Sequence, residues 1–290
     1  MNYTYENNKI TVNNALHFHP RHTFDCGQCF RWSRDDDGSY TGVVGTRVIN
    51  VAVVDNKLII DNITIEEFEN TFINYLDLKR DYSAIKKVYE KDAFLKSAME
   101  FGWGIHILNQ DIFECLISFI ISTQNQIPRI KKIVNGISEI FGDKIEYKGK
   151  NYYTFPTAEQ LKYAKSEDFS SLKAGYRGAY IVDAVEKVLT GEVKLDLVKK
   201  MSYADAKAEL MKIKGVGPKV ADCVLLFSAG KSEAFPVDVW VKRTMNRLYM
   251  EKESNEKQIL AFANEYFGEY AGFAQQYMFY YSRENGVHGL

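Results

Sequence analysis

A glycine turn between two helical patterns constrains the fold of this chain more than any other stretch. Apolar or small side chains recur at helical spacing from Tyr203 to Ile213, break at Gly215 to Pro218, and resume from Val220 to Phe227. The glycines can adopt positive φ, and proline is well tolerated in the first turn of a helix. The sequence therefore predicts a helix-hairpin-helix over about residues 203–229.

The start of the second helix is a candidate site for a phosphate. The first backbone N–H groups of a helix have no partner within it, and they carry the positive end of the helix dipole. The amides around Gly215, Gly217 and Val220 are the candidates for this contact. The same glycines could instead only close a helical hairpin, and the turn alone does not separate the two interpretations.

A lysine and an aspartate flank this turn. Lys219 lies in the first turn of the second helix, where the helix dipole disfavours a cation, and Cys223 follows on the same apolar face. A lysine partly shielded from water is a candidate amine nucleophile. Asp238 precedes another helical pattern and is a candidate N-cap. Its carboxylate could also stabilise a positive charge opposite Lys219.

Composition and charge exclude several classes of protein. The 290 residues, 46% of them hydrophobic, suit one large or two modest domains with a sizeable core. The formal net charge is −1, so any contact with nucleic acid must come from local placement of charge. Residues 1–10 do not resemble a signal peptide, and no apolar run reaches membrane-spanning length. We expect a soluble, cytoplasmic protein with no membrane partner.

A second cysteine-containing stretch could be taken for a metal or redox site. Cys26 and Cys29 have the spacing of a redox pair or of half a zinc site, with His17, His19 and His22 nearby. Structural zinc sites usually combine two spaced ligand pairs, and no second pair completes this one. The cysteines are also too few and too dispersed for a disulfide framework. We predict no metal here and a surface turn for the histidines.

The periodicity of the sequence changes along the chain. From Ala15 to Asp61 the pattern predicts an antiparallel sheet. Beyond Ile63 the periods become helical, apart from a polar and aromatic loop over 142–156. The fold class is therefore α+β, with an N-terminal antiparallel sheet domain, residues 1–100, packed on a mostly α-helical core, residues 101–290.

Together, the hairpin, Lys219 and Asp238 resemble the helix-hairpin-helix and Gly-Pro-Asp signature of base-excision DNA glycosylases. The likeness is greatest to the 8-oxoguanine DNA glycosylase family, whose motif has a valine before the aspartate, as Val237 stands here. The resemblance implies a bifunctional glycosylase and AP lyase. Lys219 would form a Schiff base, Asp238 would stabilise the cationic sugar, and β-elimination would cut the strand. The implied partner is double-stranded DNA that contains 8-oxoguanine, bound by a monomer without a metal or organic cofactor.

The resemblance also implies a pocket for an extruded base. The string from Cys26 to Trp32 looks like the family's Gly-Gln-Ser-Phe-Arg-Trp segment. There the glycine carbonyl, that of Gly27 here, accepts the N7 proton that 8-oxoguanine has and guanine lacks. The family reads the Watson–Crick edge with a glutamine and stacks the base between an aromatic ring and a cysteine. The matching residues are Gln275, Phe279 and Cys223, although an ordinary core helix would also explain the first two.

A polar cluster after the helical pattern at Ile112 to Ser122 resembles the family's Asn-Asn-Asn-Ile-Ala-Arg segment, which enters the duplex and reads the orphaned cytosine. Amide and guanidinium side chains suit contacts with base edges, although a hydrophilic loop is the ordinary explanation of such a cluster. The first matched residue departs from the family's asparagine. The matched residues are Gln124, Asn125, Gln126 and Arg129.

The segment around Tyr176 resembles the family's Gly-Tyr-Arg segment. A flat aromatic side chain can replace the stacking that is lost when a base leaves the helix, so Tyr176 is a candidate wedge. Arg177 would be a second donor to the cytosine. Without the resemblance, this segment would be a turn between helices.

Two other functions fit parts of the sequence. A monofunctional glycosylase of another damaged base shares the hairpin and the aspartate but does not need Lys219. A non-catalytic helix-hairpin-helix protein that binds DNA would leave Lys219 and Asp238 without roles. Endonuclease III and the adenine glycosylases of the superfamily carry a four-cysteine iron–sulfur loop after the last helices, whereas this chain has no cysteine after Cys223.

Overall fold

The N-terminal part of the chain is a six-stranded antiparallel sheet in the computed structural model, which describes residues 1–15 and 17–287. Its strands are β1 (Tyr3–Glu6), β2 (Lys9–Val12), β3 (Trp32–Arg34), β4 (Tyr40–Val44), β5 (Arg47–Val54) and β6 (Lys57–Asp61). Their order in the sheet is β1-β2-β6-β5-β4-β3. Ile60 pairs with Ile10 on one side and Val51 on the other, and all three are fully buried. The α+β prediction is confirmed.

The first hairpin of this sheet was not predicted from the sequence. Strands β1 and β2 precede Ala15, where the predicted sheet begins, and Asn7 and Asn8 form the turn between them with φ of 52° and 59°. Asparagine tolerates this left-handed conformation, so the Asn-Asn pair was the available signal. Strand β1 lies at the edge of the sheet with mostly exposed side chains, and it therefore lacks the alternation that marks a half-buried strand.

A second small hairpin replaces a predicted loop. Strands β7 (Lys144–Tyr147) and β8 (Lys150–Tyr153) pair antiparallel, so the prediction of a loop over 142–156 is wrong there. Lys148 and Gly149 form the turn, with φ of 49° and 72°. Neither strand has a fully buried face, which is why hydrophobic periodicity did not reveal them.

Helices make up most of the remaining chain. A short π-helical turn, Phe68–Phe72, joins two of them, and 3₁₀ turns lie at Ser166–Phe169, Leu195–Lys200 and Gly268–Tyr270. The helices are α1 (Pro20–Phe24), α2 (Ile65–Glu67), α3 (Ile73–Tyr75), α4 (Tyr82–Val88), α5 (Ala93–Phe101), α6 (Ile112–Ser122), α7 (Ile127–Phe141), α8 (Arg177–Leu189), α9 (Tyr203–Leu210), α10 (Pro218–Ser228), α11 (Val239–Leu248), α12 (Glu256–Tyr266) and α13 (Ala271–Asn285).

Buried apolar side chains form two clusters, one behind the sheet and one among the helices. The segment from Cys26 to Trp32 runs between them: Cys26 and Phe30 belong to the helical cluster, whereas Cys29 and Trp32 belong to the sheet cluster. This segment is therefore held from both sides, with Gly27 at the junction. Among residues 1–15 and 17–287, no helix is long and apolar enough to span a bilayer.

Candidate active site

A cavity of about 880 Å³ opens where the hairpin, the end of α6, the start of α11 and helix α13 meet the segment around Gly27. Its volume falls within the roughly 300–1,000 Å³ of ligand-binding clefts. Most of the residues that the sequence predicts for the site line this one cavity. They are Gly27, Gln124, Asn125, Gln126, Gly215, Gly217, Lys219, Val220, Cys223, Asp238, Gln275 and Phe279.

The predicted hairpin is confirmed, and its two glycines play different parts. Gly215 has a φ of 80°, and a Cβ atom on it would lie 2.2 Å from Cδ2 of Tyr180, so no other residue fits there without a shift. Gly217 has a φ of −91° and does not use the left-handed region that we expected for it. It is the N-cap of α10, and no side chain among the described residues caps that end. The first amides of α10 therefore face the cavity as a candidate anion site.

The amine of Lys219 lies inside the cavity, half-buried. Its Nζ donates to Oγ of Ser122 at 3.4 Å and stands 5.3 Å from the ring centroid of Phe119. Both contacts come from the buried helix α6, whose predicted bounds are confirmed. An amine between a hydroxyl and an aromatic face is partly shielded from water but still borders the open space of the cavity.

Asp238 borders the same cavity and caps helix α11, as predicted. Its Oδ1 accepts a hydrogen bond from the backbone N–H of Val241 at 2.8 Å. Burial raises the pKa of the Asp238 carboxyl above its usual range, and the Val241 N–H and the positive charge of Lys219 oppose that shift. The site thus offers a poorly solvated carboxylate beside an amine, an arrangement that can stabilise positive charge on a reacting group.

Helix α13 and helix α10 both line the cavity, and Gln275, Phe279 and Cys223 border a region of it that we call the slot. Nε2 of Gln275 donates to the carbonyl of Pro236 at 3.0 Å, while its buried Oε1 has no partner among the described residues. Cys223 of α10 lines the same cavity, and burial raises the pKa of its thiol to about 11. A neutral sulfur and the ring of Phe279 are both suited to stacking contacts, and the free Oε1 can accept a hydrogen bond from a base.

Gly27 lies against Phe279 in a conformation that favours glycine. Its φ is 85°, and a Cβ atom on it would lie 2.9 Å from Cε1 of Phe279. The next residue anchors the segment: the fully buried amide of Gln28 donates to the carbonyl of His106 at 2.7 Å and accepts from the N–H of Leu108 at 2.9 Å. These contacts restrict the position of the neighbouring Gly27 carbonyl.

The cysteines next to Gly27 are structural. The thiol of Cys26 donates to the carbonyl of Thr23 at 3.2 Å, and that of Cys29 to Phe24 at 3.6 Å. Burial raises the pKa of Cys26 to about 11 and that of Cys29 well above its ordinary value. Within the described ranges, no group of three or more His, Cys, Asp or Glu side chains is arranged to hold a metal ion.

The predicted opposite-base loop follows α6 at one edge of the cavity. Gln124 adopts a φ of 48°, and the side chain of Asn125 bridges the loop, donating to the carbonyl of Ile121 at 3.1 Å. Outside the cavity, Arg129 donates to the carbonyl of Lys173 at 2.9 Å and thereby links this loop to the segment before α8. The loop is thus braced at its base, and Gln124 is exposed within it.

Arg177 differs from its prediction. Instead of facing outward as a donor to a base, it is buried and donates to the carbonyls of Thr123 at 3.0 Å and Gln124 at 3.1 Å. Its guanidinium also lies 4.7 Å from the ring of Tyr176, which is 48% exposed. In this arrangement Arg177 holds the opposite-base loop, and Tyr176 remains available as a wedge.

The sequence reasoning missed two side chains on α13 that line the cavity, Gln276 and Arg283. The signal for Arg283 was its spacing: it follows Phe279 by four residues, as Phe279 follows Gln275, so all three lie on one face of the helix. Ser122, which contacts the amine of Lys219, was also missed because a serine at a helix end has no distinctive pattern.

Comparisons with known proteins find relatives of this chain among DNA repair enzymes. A family model described as the N-terminal domain of 8-oxoguanine DNA glycosylase matches residues 9–116, and one described as HhH-GPD superfamily base excision DNA repair protein matches residues 117–269. A probable N-glycosylase/DNA lyase of Methanothermobacter thermautotrophicus is 34% identical over 74% of this chain and 75% of its own. The solved 8-oxoguanine glycosylase/lyase of Clostridium acetobutylicum, in complex with double-stranded DNA that has cytosine opposite 8-oxoguanine, is 46% identical, with a TM-score of 0.96 and 98% of each chain covered.

Proposed function

Because the chain belongs to the HhH-GPD superfamily of base excision DNA repair proteins and has the N-terminal domain of the 8-oxoguanine DNA glycosylases, we propose that it excises 8-oxoguanine from duplex DNA and then cuts the strand. The observation that carries the proposal is that Lys219 and Asp238 line the same cavity as Cys223, Gln275 and Phe279. Relatives with a glycosylase/lyase name support the same reaction.

The reaction begins when the damaged nucleotide rotates out of the base stack into the cavity. The unprotonated amine of Lys219 attacks C1′ of the sugar, the bond from C1′ to the base breaks, and the base leaves with the electron pair and takes up a proton. The carboxylate of Asp238 stabilises the positive charge that develops on the sugar. Loss of a proton from the amine and opening of the sugar ring give a Schiff base between Nζ and C1′.

Strand cleavage follows from the Schiff base. The C1′ iminium acidifies the hydrogens on C2′, so that a base can remove one of them. The electron pair then forms a C2′–C3′ double bond, and the 3′ phosphate leaves. Water releases the enzyme by hydrolysing the imine. Each of these steps needs the amine of Lys219, which a glycosylase without lyase activity can do without.

Base recognition is assigned to the slot. The carbonyl of Gly27 accepts the N7 hydrogen of 8-oxoguanine, and guanine would leave this acceptor unpaired at an energetic cost. The free Oε1 of Gln275 accepts from the Watson–Crick edge. The ring of Phe279 and the sulfur of Cys223 cover the two faces of the base.

The rest of the DNA contact is assigned to the hairpin and to the loop after α6. The amides from Gly215 to Val220 bind a backbone phosphate at the uncapped start of α10. Tyr176 fills the space that the extruded base leaves. Gln124, Asn125 and Arg129 lie at the orphaned base.

We further propose that the protein acts as a monomer and that it works at the nucleoid, in the cytoplasm. We also propose that the boundary between its two domains lies near residue 100.

Borohydride trapping on an 8-oxoguanine duplex tests the proposal. Reduction of the Schiff base should yield a covalent adduct with the intact protein, and a Lys219→Gln variant should bind the lesion without forming an adduct or cutting the strand. Lys57→Gln removes an exposed lysine that does not line the cavity and serves as the control. No adduct with the intact protein would instead indicate a monofunctional glycosylase or a DNA-binding protein.

The assignment of the loop after α6 is tested by the base opposite the lesion. Cleavage rates are measured on four duplexes that differ only in that base. If Arg129 and Gln124 read it, the Arg129→Ala and Gln124→Ala variants should lower the preference among the four duplexes more than the rate on the best one. Equal losses on all four would show that the loop serves only general DNA binding.

A further inference from the structure

Helix α13 presents a third side chain to the base slot, Arg283, that the proposed roles leave unused. It follows Gln275 and Phe279 at four-residue intervals, and it lines the same cavity. Its side chain is only 17% exposed, although an arginine is usually found at the surface. A buried guanidinium in this position can constrain the groups that it contacts, here the backbone near Gly27 and the ring of Phe279.

The guanidinium of Arg283 contacts both elements that would recognise the base. Its Nη2 donates to the backbone carbonyl of Asp25 at 2.7 Å, two residues before Gly27. Its Cζ lies 5.4 Å from the ring centroid of Phe279, within the distance of a cation–π contact. Its Nη2 also pairs with the carboxylate of Glu284 at 2.8 Å. The planar group is therefore fixed at three points.

Arg283 also borders Gly27 directly. A Cβ atom on Gly27 would lie 3.3 Å from Nη1 of Arg283, so the guanidinium occupies the space next to that residue. Nη1 is buried and has no hydrogen-bond partner among the described residues. A buried donor without a partner is unfavourable in the free protein, which indicates a functional constraint on this placement.

Neighbouring side chains hold three of four consecutive carbonyls in this segment. Arg283 donates a hydrogen bond to the Asp25 carbonyl, and Gln276 donates one to the Cys26 carbonyl at 2.8 Å. Gln110 donates one to the Gln28 carbonyl at 2.7 Å. In the part of the chain that the structure describes, the carbonyl of Gly27 has no such donor. Two of the three contacts come from α13 and both precede Gly27, so the helix that carries Phe279 also sets the path of the backbone that leads into the free acceptor.

We propose that Arg283 is a positioning residue for the discrimination between 8-oxoguanine and guanine. It fixes the Gly27 carbonyl relative to the Phe279 ring, so that the acceptor for the N7 hydrogen and the stacking surface keep a constant separation. The inference rests on the proposed function. Discrimination through a single hydrogen bond requires an acceptor that cannot move away to find another partner, and Arg283 supplies that constraint.

The test compares two reactions of the same cavity. Excision of 8-oxoguanine needs the base slot, whereas cleavage of a preformed abasic site needs Lys219 but no base. Arg283→Gln should lower kcat/KM for 8-oxoguanine by about tenfold or more and should lower the ratio of 8-oxoguanine to guanine excision, while abasic-site cleavage stays within about threefold. Arg283→Lys should resemble it, because an ammonium cannot both reach the Asp25 carbonyl and cover the ring.

Arg80, which contacts the first turn of α13, provides a matched control. Arg80 stands 5.3 Å from the ring of Phe273 on α13 and pairs with Asp77, but it does not line the cavity. Arg80→Gln should leave the ratio of the two reactions unchanged. Melting temperatures are measured for all variants, and if Arg283→Gln is poorly folded, the Arg283→Lys variant decides.

Three outcomes would overturn the inference: parallel loss of excision and abasic-site cleavage, recovery of full discrimination with lysine, or no change in either variant. The first two would indicate a structural or a charge role. An intact protein that cuts abasic sites but never excises 8-oxoguanine would instead refute the proposed function.

Discussion

The ring of Phe279 closes the space beside Gly27, because its Cε1 lies 2.9 Å from the position that a Cβ atom on residue 27 would occupy. This contact joins the segment between α1 and β3 to α13. A methyl group added at residue 27 would therefore displace the ring of Phe279, which is proposed to stack on the base.

Gly27→Ala should therefore impair base excision more than stability. The φ of 85° costs an alanine about 1–2 kcal/mol, and Phe279 must also move away from the new methyl. We expect excision of 8-oxoguanine to fall by about tenfold to a hundredfold under single-turnover conditions. Gly45→Ala is the control, since Gly45 has a φ of 57° with no atom within 4 Å of its Cβ position. Equal losses in the two variants would mean that backbone strain alone is responsible.

Substitution of Asp238 should separate its structural role from its chemical one. Asparagine caps helices as well as aspartate does, so Asp238→Asn should keep the melting temperature while base excision falls. Asp238→Ala should also lose about 0.5–2 kcal/mol of unfolding free energy with the cap. Thermal melts and excision rates are measured on both variants. A stable Asp238→Asn protein with unchanged activity would contradict a role for the carboxylate charge.

Glu114 on α6 should make stability depend on pH. Burial raises its pKa from 4.5 to about 7, and the positive charge of Arg31 only partly opposes this. Between these two values the folded protein keeps a proton that the unfolded chain has lost, so the free energy of unfolding falls as pH rises. Glu114→Gln removes this dependence, and its stability relative to the original protein should increase by about 1–3 kcal/mol from pH 4.5 to pH 7. Urea unfolding curves at the two pH values measure it, and parallel pH profiles would refute it.

The ion pair between Lys207 and Asp222, which joins the two helices of the hairpin, should contribute to the free energy of unfolding. Asp222 is 1% exposed and bonds Nζ of Lys207 at 2.7 Å and the hydroxyl of Tyr203 at 2.7 Å, which ties α9 to α10. Lys207→Met leaves the buried carboxylate without its cation and should cost about 3–5 kcal/mol in urea unfolding. Adding Asp222→Leu to that variant should recover much of the loss, because the unpaired charge is gone. A double variant as unstable as the single one would show that packing, rather than charge, holds the two helices.

Many of the local structures that border the cavity were determined by the sequence itself. The hairpin, the bounds of α6, the capping role of Asp238 and the i, i+4 pair of Gln275 and Phe279 all follow from local patterns. Turn glycines, N-caps and helical periodicity act over a few residues, so their signals are present in the sequence without knowledge of the fold.

Only the tertiary structure decided which side chains point into the cavity and which contacts form between distant parts of the sequence. Arg177 turned inward to carbonyls of the loop after α6, and Gly217 adopted an extended conformation. Arg283 came to lie beside both Phe279 and Gly27, which are far apart in the sequence. Edge strands such as β1 have no buried face and therefore no strong pattern. Contacts between residues distant in the sequence depend on how helices and sheet pack, and this packing is a property of the whole chain that no short segment encodes.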